Sequence, residues 1–364
     1  MIHFTNSDWD RVANSYERWW NKTSDTAIVG CMVKKYAPSE KTPAKPLLSQ
    51  RNVHLGFTAD EILDTIEYEL SQYEFIGDAF PMFNMDCFGP GVVAAFLGCE
   101  TDNNNGTTGV WFHPKEKADI TEFDPVYDGD NPVFKRIKEI FKRSVERFDG
   151  KILLSMPDLG GVADVLSSFF PGEELMFEMY DNPEYVLSAT EKIDVLWQRY
   201  YDELAKDLNS AAYGYTDWSR IFSKKRSYVI QSDITYMLSQ EMFREFMFGS
   251  IKKHTENLER TIYHLDGVGE LKNLDDILSI KGLDAVQWIP GSNGGRNSYY
   301  EWMEVYEKIL AADKLVQVAW AAYEDLENIV KHVKKKGYIE QSMSVFEEKD
   351  RDYAIRSIER IKSL

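Results

Sequence analysis

The sequence predicts an α/β fold, a (β/α)8 TIM-type barrel carrying an N-terminal, mainly helical extension. Three observations predict it. Short apolar strands alternate with helical patterns over roughly residues 151–361, the rhythm of a parallel sheet. Those strands are apolar along nearly their whole length, as strands covered on both faces must be. About eight strand-like segments occur, which favours closure into a barrel over an open sheet.

Residues 7–25 space Trp9, Val12, Tyr16, Trp19 and Trp20 as a helix with Ser7 as its expected cap. Ala27 to Val33 reads as a strand, and Tyr36 to Ser49, rich in Pro, Lys and Ser, as a loop. Thr58, with Glu61 three residues on, is a capping box that opens a helix to about Tyr73. Phe75 to Asn84 is expected to be extended, Phe88-Gly89-Pro90-Gly91 a turn, and Val92 to Leu97 a short helix. Asp102 to Thr108 is a polar loop and Gly109 to His113 a strand. Asn131 to Phe148 is a helix with Pro132 in its first turn.

The strand Lys151 to Met156 runs into Pro157-Asp158-Leu159-Gly160-Gly161 and a helix, Val162 to Phe170. A long helix starts at Asn182-Pro183 and ends near Leu208. Asp217 to Phe222 and Tyr228 to Ser232 are read as strands, and Ser239 caps a helix to Leu258. Thr261 to Tyr263 then leads into His264-Leu265-Asp266-Gly267, a helix with Leu271, Leu274, Ile277 and Leu278, and a strand from Leu283 to Trp288. Helices at 297–312, 324–335 and 349–361 alternate with strands at 315–319 and 338–341. No Pro/Gly linker cuts the chain, so residues 1–74 are expected as an extension packed on a barrel of residues 75–364.

The 364 residues are 43% apolar and 13% aromatic, enough for a sizeable core, and carry a net charge of −18. Such a charge repels phosphate and disfavours nucleic acid or an anionic membrane as a general partner. Cys31, Cys87 and Cys99 form no Cys-x-x-Cys, and an odd, sparse set fits a reducing compartment. No signal-peptide pattern opens the chain and no apolar run approaches the length of a membrane span, so a cytoplasmic protein is expected.

The candidate chemistry sits where strands end, the end of parallel α/β folds that carries active sites. His264 and Asp266 are two residues apart on an extended segment and point to one side. They suit proton transfer, a divalent metal or a polar substrate, and Asp266 is equally suited to capping the following helix. Asp233, ending the preceding strand, is a third catalytic candidate, or a cap for the helix at Ser239. Gln231, two residues earlier, and Trp288, ending the next strand, are expected to contact substrate, Trp288 as a stacking wall or as core. Asp158, Asn84 and Asp86 follow other strand ends and complete the expected substrate-binding set. Ile289 to Gly295 is a glycine-rich loop with no Lys-Ser/Thr after it, a weak anion motif.

Three segments resemble the uroporphyrinogen decarboxylase superfamily. They are Gln231-Ser232-Asp233 through Met237-Leu238-Ser239 to Phe246; Ile262-Tyr263-His264-Leu265-Asp266-Gly267 with Gly282 to Trp288; and Gly150 to Gly161 followed by Tyr180-Asp181-Asn182-Pro183-Glu184. The likeness covers roughly residues 75–345. The decarboxylase branch carries an arginine-glutamine-alanine-glycine-arginine signature, whereas Phe80 to Asp86 stands in its place here. The corrinoid-linked methyltransferase branch holds zinc through a His-x-Cys pair and a distant cysteine. His264 matches the histidine, Asp266 stands where the cysteine would be, and no cysteine follows Cys99. A third group of similar sequences, common in anaerobes, shares the His-Leu-Asp-Gly and Gln-Trp pattern.

The resemblance implies an enzyme nearer to the methyltransferases, moving a methyl group between a small substrate and a corrinoid protein or cobalamin. A divalent metal on His264 and Asp266 is the implied cofactor, zinc first, with manganese or magnesium open because the site is harder than a thiolate one. A decarboxylase or lyase for a small carboxylated molecule, and a non-catalytic ligand-binding barrel, are the competing readings.

Overall fold

The computed structural model describes residues 2–36, 56–102, 109–291, 295–296 and 298–364. Most of the Tyr36–Ser49 and Asp102–Thr108 loops, and Ser292–Gly294 of the glycine-rich loop, lie outside the described residues.

Eleven strands are described. They are β1 (Ile28–Lys34), β2 (Tyr73–Gly77), β3 (Met82–Phe83), β4 (Glu100–Asp102), β5 (Trp111–His113), β6 (Leu153–Leu154), β7 (Ser227–Ile230), β8 (Arg260–Asp266), β9 (Ala285–Ile289), β10 (Leu315–Gln317) and β11 (Ile339–Glu347). The central sheet has the order β2-β1-β11-β10-β9-β8-β7, all parallel except the edge strand β2. β3 and β6 form a separate parallel pair, and β4 and β5 a small antiparallel one.

The central sheet holds six parallel strands, and among the described residues no ladder joins it to the parallel β3·β6 pair. At each seam between them an aspartate accepts a strand N–H. Asp78 Oδ2 accepts from Val29 N at 3.0 Å, beside β1. Asp217, bridged to Met156 just past β6, accepts from Val229 N of β7 at 2.8 Å. A carboxylate is a strong acceptor for an edge N–H that would otherwise lack a partner.

Side-chain parity divides the sheet into two faces. Tyr228, Ile230, Tyr263, Leu265, Val286, Trp288, Val316 and Ile339 pack against the helices. Val229, Ile262, Ala285, Leu315 and Ile28 face the other way, onto Val12, Tyr16, Trp19 and Trp20 of the first helix and onto Ile221 and Phe222. That helix, Asn6–Trp20, is capped by Thr5, whose hydroxyl takes Asp8 N while the Asp8 carboxylate takes Thr5 N. The expected cap, Ser7, lies inside the helix, because the reciprocal Thr5–Asp8 pair satisfies two end donors at once. The helix covers the start of the strands: Trp19 Nε1 donates to Tyr338 O, and Arg260, the first residue of β8, pairs with Glu17.

β1, within residues 1–74, lies inside the central sheet, between β11 and β2. Two sequence expectations are corrected. Asp217 to Phe222 is not a strand: Arg220 N closes a turn onto Asp217 O, and Ser219 N and Oγ both bind the Asp217 carboxylate. The helix from Ser239 to Leu258 is interrupted by a π-helical turn, Phe243–Met247. The strand, turn and helix signals at 58–70, 132–148, 183–207 and 260–289 fall where the sequence places them.

Candidate functional site

The strand register places four polar side chains in one row. His264 pairs with Gln287, Gln287 with Gln317, and Gln317 with Glu340, across β8, β9, β10 and β11. All four are buried in strands that are otherwise apolar. A buried polar row is stable only when its members satisfy one another, and in this one Glu340 Oε2 is the atom left without a partner among the described residues. The His264 ring bonds Gln287 Oε1 through Nδ1, Gln287 Nε2 donates to Gln317 Oε1 at 2.7 Å, and Gln317 Nε2 donates to Ser219 O at 2.9 Å. At its far end Tyr16 OH donates to Glu340 Oε1 at 3.4 Å.

The direction of these bonds assigns the imidazole. Ser219 O can only accept, so the Gln317 amide nitrogen faces it and the Gln317 oxygen faces Gln287. Gln287 then turns its own oxygen to His264, which donates from Nδ1. Burial pulls the His264 pKa below its ordinary value, against the charge of Asp266 and the bond to Gln287. The ring is neutral at pH 7, with Nδ1 protonated and Nε2 left as an acceptor that bonds no described residue. Trp218 meets the ring edge to face, centroids 4.9 Å apart.

Carboxylates gather at the same C-terminal strand ends. Asp158 is buried two residues past the Met156 bridge, where its Oδ1 takes Gly160 N at 2.8 Å. Asp164, in the helix Val162–Ser167, accepts from Asp233 N at 3.0 Å and Ile234 N at 2.9 Å. It thereby ties the segment after β7 to the helix after β6. Burial, with mutual repulsion, pushes Asp158 and Asp164 each up to about 7, and desolvation among these acids, with the charges of Asp158 and Asp266, pushes the solvent-reaching Asp233 up to about 7 as well. For Asp233 the repelling neighbours are Asp158 and Asp266; for Asp158 they are Asp164 and Asp86. The Asp233 side chain nevertheless reaches solvent, so a ligand can meet it. Glu270 is almost completely buried beneath this group, held well above the ordinary carboxylate range by burial and by Asp233, and takes Tyr263 OH at 3.3 Å. Like-charged carboxylates in one neighbourhood cannot all ionise, so several remain acids near neutral pH.

Six of the expected residues thus meet at this end of the sheet: His264, Asp266, Asp233, Asp158, Asn84 and Asp86. Asn84 Nδ2 donates to Asp86 Oδ2 at 3.1 Å, and Ser155 Oγ donates to Asn84 Oδ1 at 3.1 Å. The other two do not join them. Trp288 lies on the helix-facing side of β9, fully buried, its ring 5.3 Å from that of Trp302. The register pairs it with Leu265, one residue out of phase with His264, so its neighbour Gln287 takes the place expected for it. Gln231 is buried beside a small cavity lined by Val162, Met247, Ser250 and His254, and not by the acids.

Sequence reasoning missed Asp164, Gln287 as the partner of His264, Gln317, Glu340, Trp218 and Arg220. The signal for three of them was present: a single amide or carboxyl in an apolar strand, as in Ala285-Val286-Gln287-Trp288, Leu315-Val316-Gln317-Val318 and Tyr338-Ile339-Glu340. Arg220 carried none, because its place depends on the turn at Asp217.

Among the described residues no group of three or more His, Cys, Asp and Glu side chains is arranged to hold an ion, so the implied divalent metal would lack a full set of protein ligands there, although the Nδ1 bond to Gln287 leaves His264 Nε2 free. No helix among the described residues is long and apolar enough to cross a membrane.

No family model matches the chain, and no curated protein matches it. In structure the chain is similar to a methyltransferase from Methanosarcina mazei, with a TM-score of 0.59 and 13% sequence identity over 97% of this chain and 97% of that chain. The likeness shows that this α/β fold, with its mostly parallel sheet, is shared over the full length of both.

Proposed function

We propose that this protein is a methyltransferase whose eight parallel strands close into a barrel, with the two aspartate-spanned seams completing the ring. The observation that carries the reading is the joint presence, at the C-terminal strand ends of a methyltransferase-like fold, of an imidazole with a free Nε2 and carboxylic acids held near pH 7. Breaking a CH3–X bond sends its electron pair to X, and X then needs a proton. Asp233 is the acid for that proton, since its pKa is matched to neutral pH and its side chain is open to solvent. His264 Nε2 accepts a hydrogen bond from the substrate and orients it, with Gln287 holding the ring. The methyl acceptor is a corrinoid, free or carried by a partner protein, and acts as co-substrate.

A carboxy-lyase reading is the alternative, favoured by the acids that would protonate the carbon left after loss of carbon dioxide. The test is incubation of the purified chain with reduced cobalamin and small methyl ethers, alcohols, amines and thioethers, following methylcobalamin by absorbance and released carbon dioxide in parallel. Methyl transfer that falls about 100-fold or more in His264→Ala, with the melting temperature retained, is the expected result. Undiminished activity in that variant overturns the assignment, and carbon dioxide release without methyl transfer moves it to the lyase.

A further inference from the structure

Three consecutive residues of the Asp217 turn reach three different strands. Trp218 meets His264 of β8, Ser219 O takes the amide of Gln317 in β10, and Arg220 Nη1 donates to Met343 O in β11 at 3.3 Å. In the sheet β11 lies four strands from β7, the strand that follows the turn. Arg220 therefore carries its charge across the inner face, alongside the polar row. Its backbone is left-handed, φ +67, a conformation that costs an arginine energy and persists where surrounding bonds enforce it. Here the enforcing group is the Asp217 carboxylate, fixed by Ser219 N, Ser219 Oγ and Val229 N.

Arg220 is half-buried, yet among the described residues no carboxylate is in ion-pair contact with it. Arg260, more deeply buried, is paired with Glu17. Asp86 acts on Arg220 only through its field, its own carboxylate being bonded to Asn84. A guanidinium has five N–H donors in a rigid fork, and one weakly placed carbonyl leaves most of them unused. A charge withdrawn from water in this way is stable when an anion completes it.

We infer that Arg220 is the anchor for a carboxylate group of the substrate, so that the methyl donor is a small carboxylated molecule. The fork matches a carboxylate in two parallel bonds. A singly charged group also suits the setting, since the acids at Asp86 and Asp158 would repel a dianion such as phosphate. Trp218, two residues before Arg220 in the same turn, meets the His264 ring at 4.9 Å, so the anchor and the imidazole of the site are held by one turn.

The inference rests on the methyltransferase reading for what the donor does, and its test is kept separate by measuring binding without any methyl acceptor. Methoxyacetate and its uncharged counterpart 2-methoxyethanol are titrated calorimetrically into the full chain. Methoxyacetate is expected to bind at least about tenfold more tightly than 2-methoxyethanol, and Arg220→Gln to lose about ten- to a hundredfold of that affinity. Asp86→Asn retains Arg220 and removes the competing charge, so it is expected to tighten methoxyacetate binding severalfold, an effect that a purely structural Arg220 would not give. Equal affinity for the two compounds, no binding of methoxyacetate up to about 50 mM, or indifference to both substitutions overturns the inference. Binding through Arg220 with no methyl transfer would leave the inference standing and remove the reading beneath it. Methyl transfer that ignores the carboxylate would do the reverse.

Discussion

At the scale of single residues the site is a contest over protons. Asp233 is pushed up to about 7 because desolvation among the acids and the charges of Asp158 and Asp266 oppose its negative form. If its acid form protonates the leaving group, kcat/KM is highest below that pH and falls about tenfold per unit above it. Asp233→Asn, which cannot give up a proton, is expected to flatten this limb and lower the rate about 100-fold or more. A descending limb that survives in Asp233→Asn would assign the proton to another acid. Trp288 belongs to a different contest. Its ring fills the space between β9 and Trp302, so Trp288→Ala should destabilise the fold by about 3–5 kcal/mol by opening a cavity. Affinity for substrate, measured where the variant is still folded, should stay near that of the parent. A stable variant with lost affinity would restore the stacking role. His264, Asp266 and Asp233 were legible from the sequence because strand ends announce themselves through polar residues next to turns. Trp288 was misplaced by one residue of register, since period-2 parity moves a side chain to the opposite face at each step.

At the scale of elements the legible parts are those whose signals are local. The capping box at Thr58, Pro132 at the start of its helix and the long periodic helix at 183–207 each depend on residues a few positions apart. The Asp217 segment is expected from its sequence to be a strand. What decides its structure is instead a set of hydrogen bonds to one carboxylate, two from Ser219 and one from Val229. Nothing in the local sequence reports the distant partners Gln317 and Met343. The same carboxylate spans the seam at β7 and holds Arg220 in its left-handed conformation, so one substitution tests both jobs. Asp217→Ala leaves Val229 N and Ser219 N without partners and is expected to cost about 2–4 kcal/mol. Because the turn positions Trp218 against His264, the variant should also lose activity beyond its loss of folded population. Urea unfolding and kinetics on the folded fraction measure the two separately. Full stability in Asp217→Ala would show that the seam is held by other contacts.

At the scale of the whole molecule the acids at the strand ends set how stability depends on pH. The folded chain raises Asp158, Asp164 and Asp233 from 3.8 to about 7, and Asp217 from 3.8 to about 6. Between about pH 4 and 7 the folded state therefore holds protons that the unfolded state has released. That contribution is fully present below about 4 and is lost as pH rises through the folded values. His264 acts in the opposite sense, since its pKa is lowered on folding, so its share of stability grows as pH rises toward 6.5. Surface acids with lowered values, such as Glu74 beside Arg351 and Glu327 beside Lys331, lose their contribution only below about pH 4.5 and do not enter this window. Four acids outweigh one imidazole, and releasing their protons takes the chain to its full formal net charge of −18. The melting temperature is accordingly expected to be higher at about pH 5.5 than at about pH 7.5, the reverse of the usual acid sensitivity. Asp158→Asn, which keeps an oxygen for Gly160 N while removing one titrating group, should make that dependence shallower. A melting temperature that rises from pH 5.5 to 7.5 would show that these carboxyls are ionised in the folded protein. The acid role given to Asp233 would then fall with them.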